Sequence, residues 1–561
     1  MKPVVSIGTQ DFKKLRENGS FYIDKTDFIR EWWENSDDVT LITRPRRFGK
    51  TLNMSLLEYF FSVKYSGINI FNGLAIWNNE KYRKLQGSYP VIFLSFADIK
   101  ADTYENARMG LINKLIELYS MYDFIKSSPR LTDKDTAYFA AVNNKINDSS
   151  AVLAIKYMSY YLYLYYGKKA IIILDEYDAP LQEAYVNGYW NEMVSFTRSL
   201  FNSSFKTNPY MERGIMTGIT RTSKESVFSD LNNLEVVTTT SGKYKTAFGF
   251  TEEEVKESLD KFGLSGNMDK VKSWYNGFCF GGRKDIYNPW SVTKYLDSGK
   301  FKSYWANTSS NSLIGKVVRE GTPEIKIAME DLVNGKQIKT VIDEEIVFNQ
   351  LGQDDSAVWG LLLASGYLKT DPVPENSSKD TEDTYNLSIT NFEVKKMFQK
   401  MFKGWFQNVS THYNGFIKAL LTDDLDYMNK YMNQIALQTF SSFDTGLHPS
   451  DTAAPERFYH VFVLGLVAGL DGKYYITSNR ESGFGRYDVM MEPLEAALPA
   501  FIFEFKVLDN PKEKTLEETV KSALKQIKEK DYDNMLIARG IPKEKIRHYG
   551  FAFEGKNVLI G

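Results

Sequence analysis

The chain has 561 residues, of which 43% are apolar and 25% charged, and its formal net charge is −2. This is the composition of an ordinary globular protein, and the charge balance excludes a globally basic nucleic-acid binder while leaving room for a local basic groove. No apolar run approaches the ~20 residues of a membrane-spanning helix, and the single cysteine, Cys279, excludes an internal disulfide framework. We expect a protein of the reducing cytoplasm, without a membrane partner.

The first half of the chain alternates short apolar runs with helical patterns. This alternation predicts an α/β fold with a parallel sheet built from strand–helix units. The predicted strands cover residues 40–43, 90–96, 170–174 and 214–219. The third run is uniformly apolar, as strands covered on both faces are.

Beyond about residue 240 the pattern predicts short helices joined by aromatic loops. Thr251, followed by three glutamates, marks a helix start, because threonine caps the first turn and acids there complement the helix dipole. Farther on, apolar segments at 366–369 and 385–389 flank a polar stretch and predict a hairpin with a long tip. The last part predicts a helix, two strands and a further helix, at 461–470, 474–477, 500–507 and 516–530.

A basic turn lies between the first predicted strand and a helical pattern. It reads Arg-Pro-Arg-Arg-Phe-Gly-Lys-Thr and matches the nucleotide-binding P-loop, G-x-x-x-x-G-K-[ST], at Gly49, Lys50 and Thr51 but not at Arg44. In such a loop the glycine admits phosphate, the lysine neutralises the β and γ phosphates, and the threonine ligates Mg²⁺. The spacing alone equally fits a basic surface turn. The candidate nucleotide-binding residues are Arg44, Arg46, Arg47, Phe48, Gly49, Lys50 and Thr51.

Polar residues also end two later predicted strands. Asp175 and Glu176 directly follow the apolar strand 170–174. In P-loop ATPases a buried strand ends with an acid that holds Mg²⁺, and often with a second acid that orients the attacking water. The alternative is a solvated loop at a strand end. At the next strand end, Thr217 could report on the γ-phosphate and Arg221 could supply charge to it, although a polar strand end with a solvated arginine fits as well.

Longer motifs extend over most of the chain. They lie at 22–26, 41–51, 174–180, 217–221, 229–234, 248–251, 274–277 and 287–291. Together they resemble a family of prokaryotic proteins that joins an AAA-ATPase-like domain to a C-terminal PD-(D/E)XK nuclease-like domain, whose members also carry arginine at the first P-loop position. The resemblance implies Lys50 and Thr51 on phosphate and Mg²⁺, Asp175 on Mg²⁺, and Glu176 as the water-orienting base.

Three of these motifs have no evident role in the sequence. The run 22–26 could line an adenine pocket or serve as an N-terminal packing element. The aromatic motifs at 274–290 could form a lid over the nucleotide or an aromatic core between domains.

The changes of pattern along the chain, together with the resemblance, predict five segments. They are a P-loop ATPase domain, a helical lid, a winged-helix-like middle domain, a helical connector and a restriction-endonuclease-like α/β domain, at 1–240, 241–325, 326–395, 396–455 and 456–561.

The strand 500–507 alternates phenylalanine with Ile502, Glu504 and Lys506, so the two charges share one face. Asp488 lies on a neighbouring predicted strand. An acid followed by Glu-x-Lys on a strand resembles the nuclease signature, in which two carboxylates hold a divalent cation and a lysine orients the nucleophile. The alternative is a salt-bridge ladder on a solvated face.

The same resemblance implies accessory residues. Glu456, before the predicted helix 461–470, would complete the metal site with Asp488 and Glu504. Gln526 on the helix 516–530 would act with the catalytic group, and Tyr532 lies beyond it.

The sequence therefore predicts a protein that binds and hydrolyses ATP with Mg²⁺, and whose nucleotide state gates a metal-dependent nuclease acting on DNA or RNA. The alternative is a regulatory ATP switch whose C-terminal domain binds a partner or nucleic acid without cleaving it. The sequence leaves open whether the protein forms a homo-oligomer, in which Arg198 or Arg221 of a neighbouring subunit could act as an arginine finger.

Overall fold

The structure is a computed structural model. It describes residues 3–220, 227–228, 231–306, 312–320, 323–333, 335–342, 355–370, 384–405, 413–439, 463, 467, 470, 473–482, 485–495, 498–508, 513–554 and 557–561. The chain forms two compact units, a first unit of Met1–Glu320 with Gly335–Lys395 and a second unit of Gly321–Asn334 with Lys396–Gly561. The division into five segments stays a prediction.

The strands and helices are numbered in chain order. The strands are β1 Val39–Thr43, β2 Val91–Ser95, β3 Ala170–Asp175, β4 Met211–Gly218, β5 Leu234–Val237, β6 Phe250–Thr251, β7 Phe278–Phe280, β8 Arg283–Tyr287, β9 Ile338–Val341, β10 Leu368–Thr370, β11 Thr384–Ile389, β12 Tyr474–Ser482, β13 Gly485–Pro493, β14 Ala500–Val507, β15 Ile546–Glu554 and β16 Asn557–Ile560. The α-helices are α1 Phe12–Glu17, α2 Asp27–Asn35, α3 Lys50–Phe61, α4 Glu80–Leu85, α5 Tyr104–Met121, α6 Asp133–Ala141, α7 Asp148–Ala151, α8 Ala154–Tyr166, α9 Ala179–Asn187, α10 Trp190–Phe201, α11 Glu252–Phe262, α12 Met268–Tyr275, α13 Pro289–Ser298, α14 Ser312–Glu320, α15 Pro323–Val333, α16 Asp355–Ala364, α17 Phe392–Trp405, α18 Tyr413–Thr422, α19 Leu425–Thr439, α20 Leu516–Glu529 and α21 Asn534–Ala538.

The first unit is built around a five-stranded sheet of order β2-β3-β4-β1-β5, in which every pair is parallel. Every residue of β1 and β3 is buried, because helices cover both faces. The four predicted strands and the α/β class are confirmed. Since β4 lies between β1 and β3, the ends of these three strands meet at one edge of the sheet, where the P-loop and the acid pair emerge.

A small antiparallel sheet of order β6-β8-β7 lies beyond the main sheet. The expectation of helices and loops alone for this region is wrong, because Phe278–Phe280 and Arg283–Tyr287 form a hairpin. Gly281 and Gly282, with φ of 52° and 78°, make its turn, and such a glycine pair is the signal that reveals a hairpin. The helix start at Thr251 is confirmed, with a complete capping box at α11.

The predicted hairpin of the middle region is present. Its strands β10 and β11 pair antiparallel, and β9 adds to the same sheet. The tip, at 371–383, lies outside the described residues.

The second unit has a mixed sheet of order β12-β13-β14-β15-β16, in which only β14 and β15 pair parallel. Phe501, Phe503 and Phe505 face a core shared with α18 and α19. Ile502 faces the opposite side, toward the core formed with α20 and α21. The predicted alternation along β14 is therefore confirmed, while the predicted helix 461–470 lies almost wholly outside the described residues. Among the helices that the structure describes, none is both long and apolar enough to cross a membrane.

Glu393 is a fully buried acid at the start of α17. Its carboxylate accepts hydrogen bonds from Ser291 Oγ at 2.8 Å and from the Trp305 amide at 2.6 Å. Burial raises the pKa of Glu393 to about 7 despite these donors. Since the folded state binds this proton more tightly than the unfolded chain does, stability falls as pH rises from about 4.5 to about 7, by roughly 3 kcal/mol.

We expect Glu393→Gln to flatten the pH dependence of stability between pH 5 and pH 7. The amide oxygen can still accept from the Trp305 amide, and the Ser291 hydroxyl can accept from the amide nitrogen, so the neutral form fits the same site. Denaturant unfolding at several pH values measures the effect, with the exposed Glu80→Gln as control. An unchanged slope in Glu393→Gln would remove Glu393 as its source.

Candidate functional site

The P-loop sits at the N-terminus of α3. Gly49 has a φ of 83° and caps the helix, which begins at Lys50. The Lys50 side chain is buried, and its Nζ donates to the carbonyl oxygens of Arg44 at 2.9 Å and Pro45 at 3.0 Å. Burial lowers the pKa of Lys50, and the carboxylate of Glu176 acts in the opposite direction. The loop therefore holds an ammonium group where backbone amides of a helix end also favour an anion.

Asp175, the last residue of β3, is completely buried. Its Oδ1 accepts a hydrogen bond from Thr217 Oγ1 at 2.6 Å, while Oδ2 is buried without a hydrogen-bond partner among the described residues. Burial raises the pKa of Asp175, and the hydroxyls of Thr217 and Thr51 lower it. A buried carboxylate oxygen without a donor, near a threonine hydroxyl, fits a hard cation such as Mg²⁺.

Thr217 lies at the end of a strand, as the sequence predicts, and its hydroxyl bonds to an acid. It lies on β4 between the two other strands, is fully buried and donates to Asp175. Its hydroxyl orients the acid, and a direct contact of Thr217 with the γ-phosphate stays a prediction. Arg221 lies outside the described residues.

Glu176 has a backbone φ of 51°. A non-glycine residue in this left-handed region costs about 1–2 kcal/mol, and such strain concentrates at functional sites. The side chain lines the cavity in front of the P-loop. Burial raises the pKa of Glu176, and Lys50 opposes that shift.

The cavity has a volume of about 420 Å³, which lies in the range of small-molecule sites. The P-loop and the start of α3 form one wall of the cavity, and N-terminal residues and α13 form other parts of its lining. The lining includes Tyr22, Ile23, Lys25, Arg46, Arg47, Lys50, Thr51, Glu176, Gln182, Glu183, Pro289 and Trp290.

The motif at 22–26 is a packing element that also lines the cavity. Asp24 Oδ1 accepts from the Thr26 amide at 2.9 Å and its hydroxyl at 2.7 Å, which folds the segment into a turn. Lys25 Nζ lies 2.7 Å from Glu254 on α11 and ties the segment to that helix. Tyr22, Ile23 and Lys25 also line the cavity, so this packing element forms part of the pocket. Contact with adenine stays a prediction.

Arg44 points away from the cavity. Its guanidinium is completely buried, donates from Nη1 to the carbonyl oxygens of Thr43 and Thr238 at 2.8 Å, and lies 4.6 Å from the ring centroid of Phe280. Burial lowers the pKa of Arg44 to about 9. The expectation that Arg44 adds charge at the triphosphate is corrected: its side chain joins the ends of β1 and β5.

Phe48 anchors the loop from behind. It is buried and contacts Phe278 at a centroid distance of 4.6 Å. Gly249 passes beside it with a φ of 84°, and a Cβ there would lie 2.5 Å from Ile286 Cγ2 and 3.1 Å from the Phe48 ring. The glycine of the 248–251 motif is thus required by close packing against the P-loop.

Asp178, three residues beyond the acid strand, organises the sheet edge. It is buried, and its Oδ2 accepts from the amides of Ile219 at 2.9 Å and Thr220 at 3.0 Å and from Gln182 Nε2 at 2.8 Å. Gln182 was not identified from sequence; its spacing of four residues from Asp178 on one helix is the signal that points to it.

The aromatic motifs at 274–290 have two roles. Tyr275 and Tyr287 belong to a buried core with α11 and α13. Trp290, at the start of α13, lines the cavity, and its ring lies 4.5 Å from the guanidinium carbon of Arg47. These motifs therefore form an aromatic core, and Trp290 is part of the pocket wall. A lid over the nucleotide stays a prediction.

In the second unit, Glu504 lies in the middle of β14 and is 3% exposed. Gln526 on α20 donates from Nε2 to Glu504 Oε1 and lies 3.4 Å from the Tyr532 hydroxyl. The structure therefore places the predicted accessory residue Gln526 in contact with both Glu504 and Tyr532.

Asp488 lies on β13, the neighbour of β14. Its Oδ2 accepts from the Phe505 amide at 2.8 Å, which fixes the carboxylate beside the strand of Glu504. Lys506 lies two residues after Glu504 on β14, so the two residues share one face of the strand. In the described part of the chain no group of three or more acidic, histidine or cysteine side chains is arranged to hold a metal. Glu456, the predicted third ligand, lies outside that part.

Comparisons with known proteins match both units. A family described as predicted AAA-ATPase matches residues 6–228, and the PD-(D/E)XK nuclease superfamily matches residues 454–561. The chain joins an AAA-ATPase-like domain to a PD-(D/E)XK nuclease-like domain. In the AAA-ATPase-like domain, the matched range contains the P-loop, the acid pair and Gln182. In the nuclease-like domain it contains Asp488, Glu504 and Gln526.

A relative from Azotobacter chroococcum mcd 1, an uncharacterized protein in the vnfD 5′ region, is 24% identical over 551 residues, covering 96% of this chain and 94% of that protein. Among solved structures, the Aeropyrum pernix ORC2 protein in ADPNP–ADP complexes matches with a TM-score of 0.24 and 10% identity, covering 72% of this chain and 96% of that one.

Proposed function

We propose that the AAA-ATPase-like domain binds and hydrolyses ATP, and that its nucleotide state gates a metal-dependent action of the nuclease-like domain on DNA or RNA. The observation that carries the nucleotide site is the meeting of Lys50, Asp175 and Glu176 at one sheet edge, in front of a helix N-terminus. Three costly charged groups in a largely buried setting are stabilised when an anionic ligand and its cation join them.

Each of these residues has a distinct role in the proposed reaction. Lys50 and the amides at the start of α3 bind the β and γ phosphates. Glu176 orients the attacking water and accepts its proton. Bound Mg²⁺ would neutralise phosphate charge, and Thr51 and Asp175 are the residues that would hold it.

The nuclease proposal depends on Asp488, Glu504 and Lys506. A divalent metal on the two acids, with Glu456 as the predicted third ligand, would lower the pKa of a bound water and stabilise charge on a scissile phosphate. Lys506 would orient the nucleophile, and Gln526 holds Glu504 in place.

Hydrogen bonds within the first unit tie the P-loop to the start of α17. Glu393 accepts from the Trp305 amide, and the Trp305 indole donates to the carbonyl of Arg46 in the P-loop at 3.0 Å. We infer that α17 responds to the state of the P-loop, and gating of the nuclease-like domain is part of the proposal.

A cleavage assay tests this function. Labelled DNA and RNA are incubated with the full chain, Mg²⁺ or Mn²⁺, and with or without ATP. We expect cleavage whose rate changes with ATP and which Lys506→Ala reduces by at least ~100-fold, because the group that orients the nucleophile is lost. The matched control is Lys525→Ala on the exposed face of α20.

The second candidate is a regulatory ATP switch whose nuclease-like domain binds without cutting. One observation favours it: only two acids of the metal site are in place among the described residues, and one of them is already hydrogen-bonded by Gln526. Equal cleavage by wild type and Lys506→Ala would support this switch.

A further inference from the structure

Two adjacent arginines of the P-loop are held in different ways. Arg46 is half-buried, and its Nη2 donates to Gln182 Oε1 at 3.1 Å. Arg47 is exposed and stacks on Trp290. Both line the cavity, so the two positive charges stand at different parts of its wall.

Arg46 lines the same cavity as Lys50 and Glu176, the groups that act on the terminal phosphate in the proposed function. Burial raises the pKa of Glu176 and lowers the pKa of Lys50, and the positive charge of Arg46 adds a smaller downward effect on both pKa values. The arginine therefore shares one pocket with the group that would orient water and with the group that would bind the β and γ phosphates.

The position of Arg46 is fixed at two points. Its carbonyl accepts from the Trp305 indole at 3.0 Å. Its guanidinium is held by Gln182, whose Nε2 donates to Asp178 Oδ2 at 2.8 Å. Since Asp178 in turn accepts from the amides of Ile219 and Thr220, the arginine is tied to the end of β4. A fixed fork of donors is preorganised for phosphate oxygens.

We propose that Arg46 supplies, from within the same subunit, the cation that stabilises the terminal phosphate of ATP during hydrolysis, and that Gln182 is the positioning residue that holds it there. This rests on the proposed ATPase function. Water oxygen forms a bond to the γ-phosphorus, the bond from that phosphorus to the β–γ bridging oxygen breaks, and Glu176 takes a water proton, giving ADP and phosphate. Arg46 donates to the oxygens that gain charge in this step.

An arginine within the same chain needs no finger from a neighbouring subunit, because Arg46 already lines the cavity of its own chain. Gln182, which holds it, lies on α9, and α9 begins shortly after the acid strand. The acid pair and the group that holds the arginine therefore come from one short stretch of chain.

Steady-state ATPase kinetics of the full chain test the assignment. We expect Arg46→Ala to lower kcat by at least ~100-fold with KM changed less than about threefold, as loss of an arginine that acts mainly in the transition state requires. Gln182→Leu is expected to lower kcat by about tenfold with KM similarly preserved. The control is Gln86→Leu, a buried glutamine whose amide binds backbone carbonyls away from the cavity.

Subunit mixing separates a cis from a trans arginine. Arg46→Ala retains Lys50, and Lys50→Ala retains Arg46, so a trans arginine would restore activity when the two variants are mixed. We expect no restoration at any ratio. Restored activity, or a wild-type kcat in Arg46→Ala, overturns the inference while the ATPase function stands. Wild-type protein without any ATP hydrolysis overturns the proposed function and this inference with it.

Discussion

Replacing Lys50 by alanine is expected to abolish nucleotide binding, weakening the affinity for ATP by at least ~100-fold, or about 3 kcal/mol. The Lys50 ammonium is buried and bonded only to the loop carbonyls of Arg44 and Pro45 among the contacts described. A phosphate entering the loop replaces those neutral partners with charged ones, so the ammonium contributes most when nucleotide is bound.

A fluorescent ATP analogue measures this effect by titration into wild type and Lys50→Ala. The matched control is Lys64→Ala, a lysine that is not among the cavity-lining residues. Circular dichroism of each variant shows whether it is folded. Binding by folded Lys50→Ala at wild-type affinity would place the nucleotide elsewhere.

Replacing Glu176 by glutamine is expected to leave ATP binding within about threefold of wild type and to lower turnover by ~100-fold or more, the size of a general-base contribution. Glutamine has nearly the same shape and keeps one acceptor oxygen, but it cannot take a proton from water. The strained backbone at this position is unchanged by the substitution, so the two proteins differ mainly in proton transfer.

Release of labelled phosphate in single-turnover and steady-state experiments measures the chemical step directly. Glu183→Gln, which changes another cavity-lining carboxylate, is the comparison variant. Equal ATP hydrolysis by wild type and Glu176→Gln would remove Glu176 from the mechanism.

Apolar runs and their polar ends made most of the main sheet predictable. β1 to β4 are long enough to be recognised, and the acid pair begins at the last residue of the fully buried β3. β5, Leu234–Val237, was missed because four residues with Glu235 among them carry little hydrophobic signal. The Phe278–Tyr287 hairpin is not evident from the sequence because its aromatic residues suggest packing loops. The adjacent Gly281 and Gly282 are the signal that indicates its turn.

The candidate site was only partly predictable, because side-chain partners distant in sequence decide what each charge does. Lys50, Asp175 and Glu176 follow from local patterns. Arg44 has the same local pattern as Arg46, and only the fold shows that one is buried under Phe280 while the other reaches Gln182. Thr217 was correctly placed at a strand end, but its bond to Asp175 depends on β4 lying beside β3.

Calorimetric titration of ATP with Mg²⁺ into the full chain tests the central claim most directly. We predict uptake of one nucleotide per chain in wild type and Glu176→Gln, and no uptake in Lys50→Ala. A wild-type protein that takes up neither ATP nor a divalent ion would contradict the account.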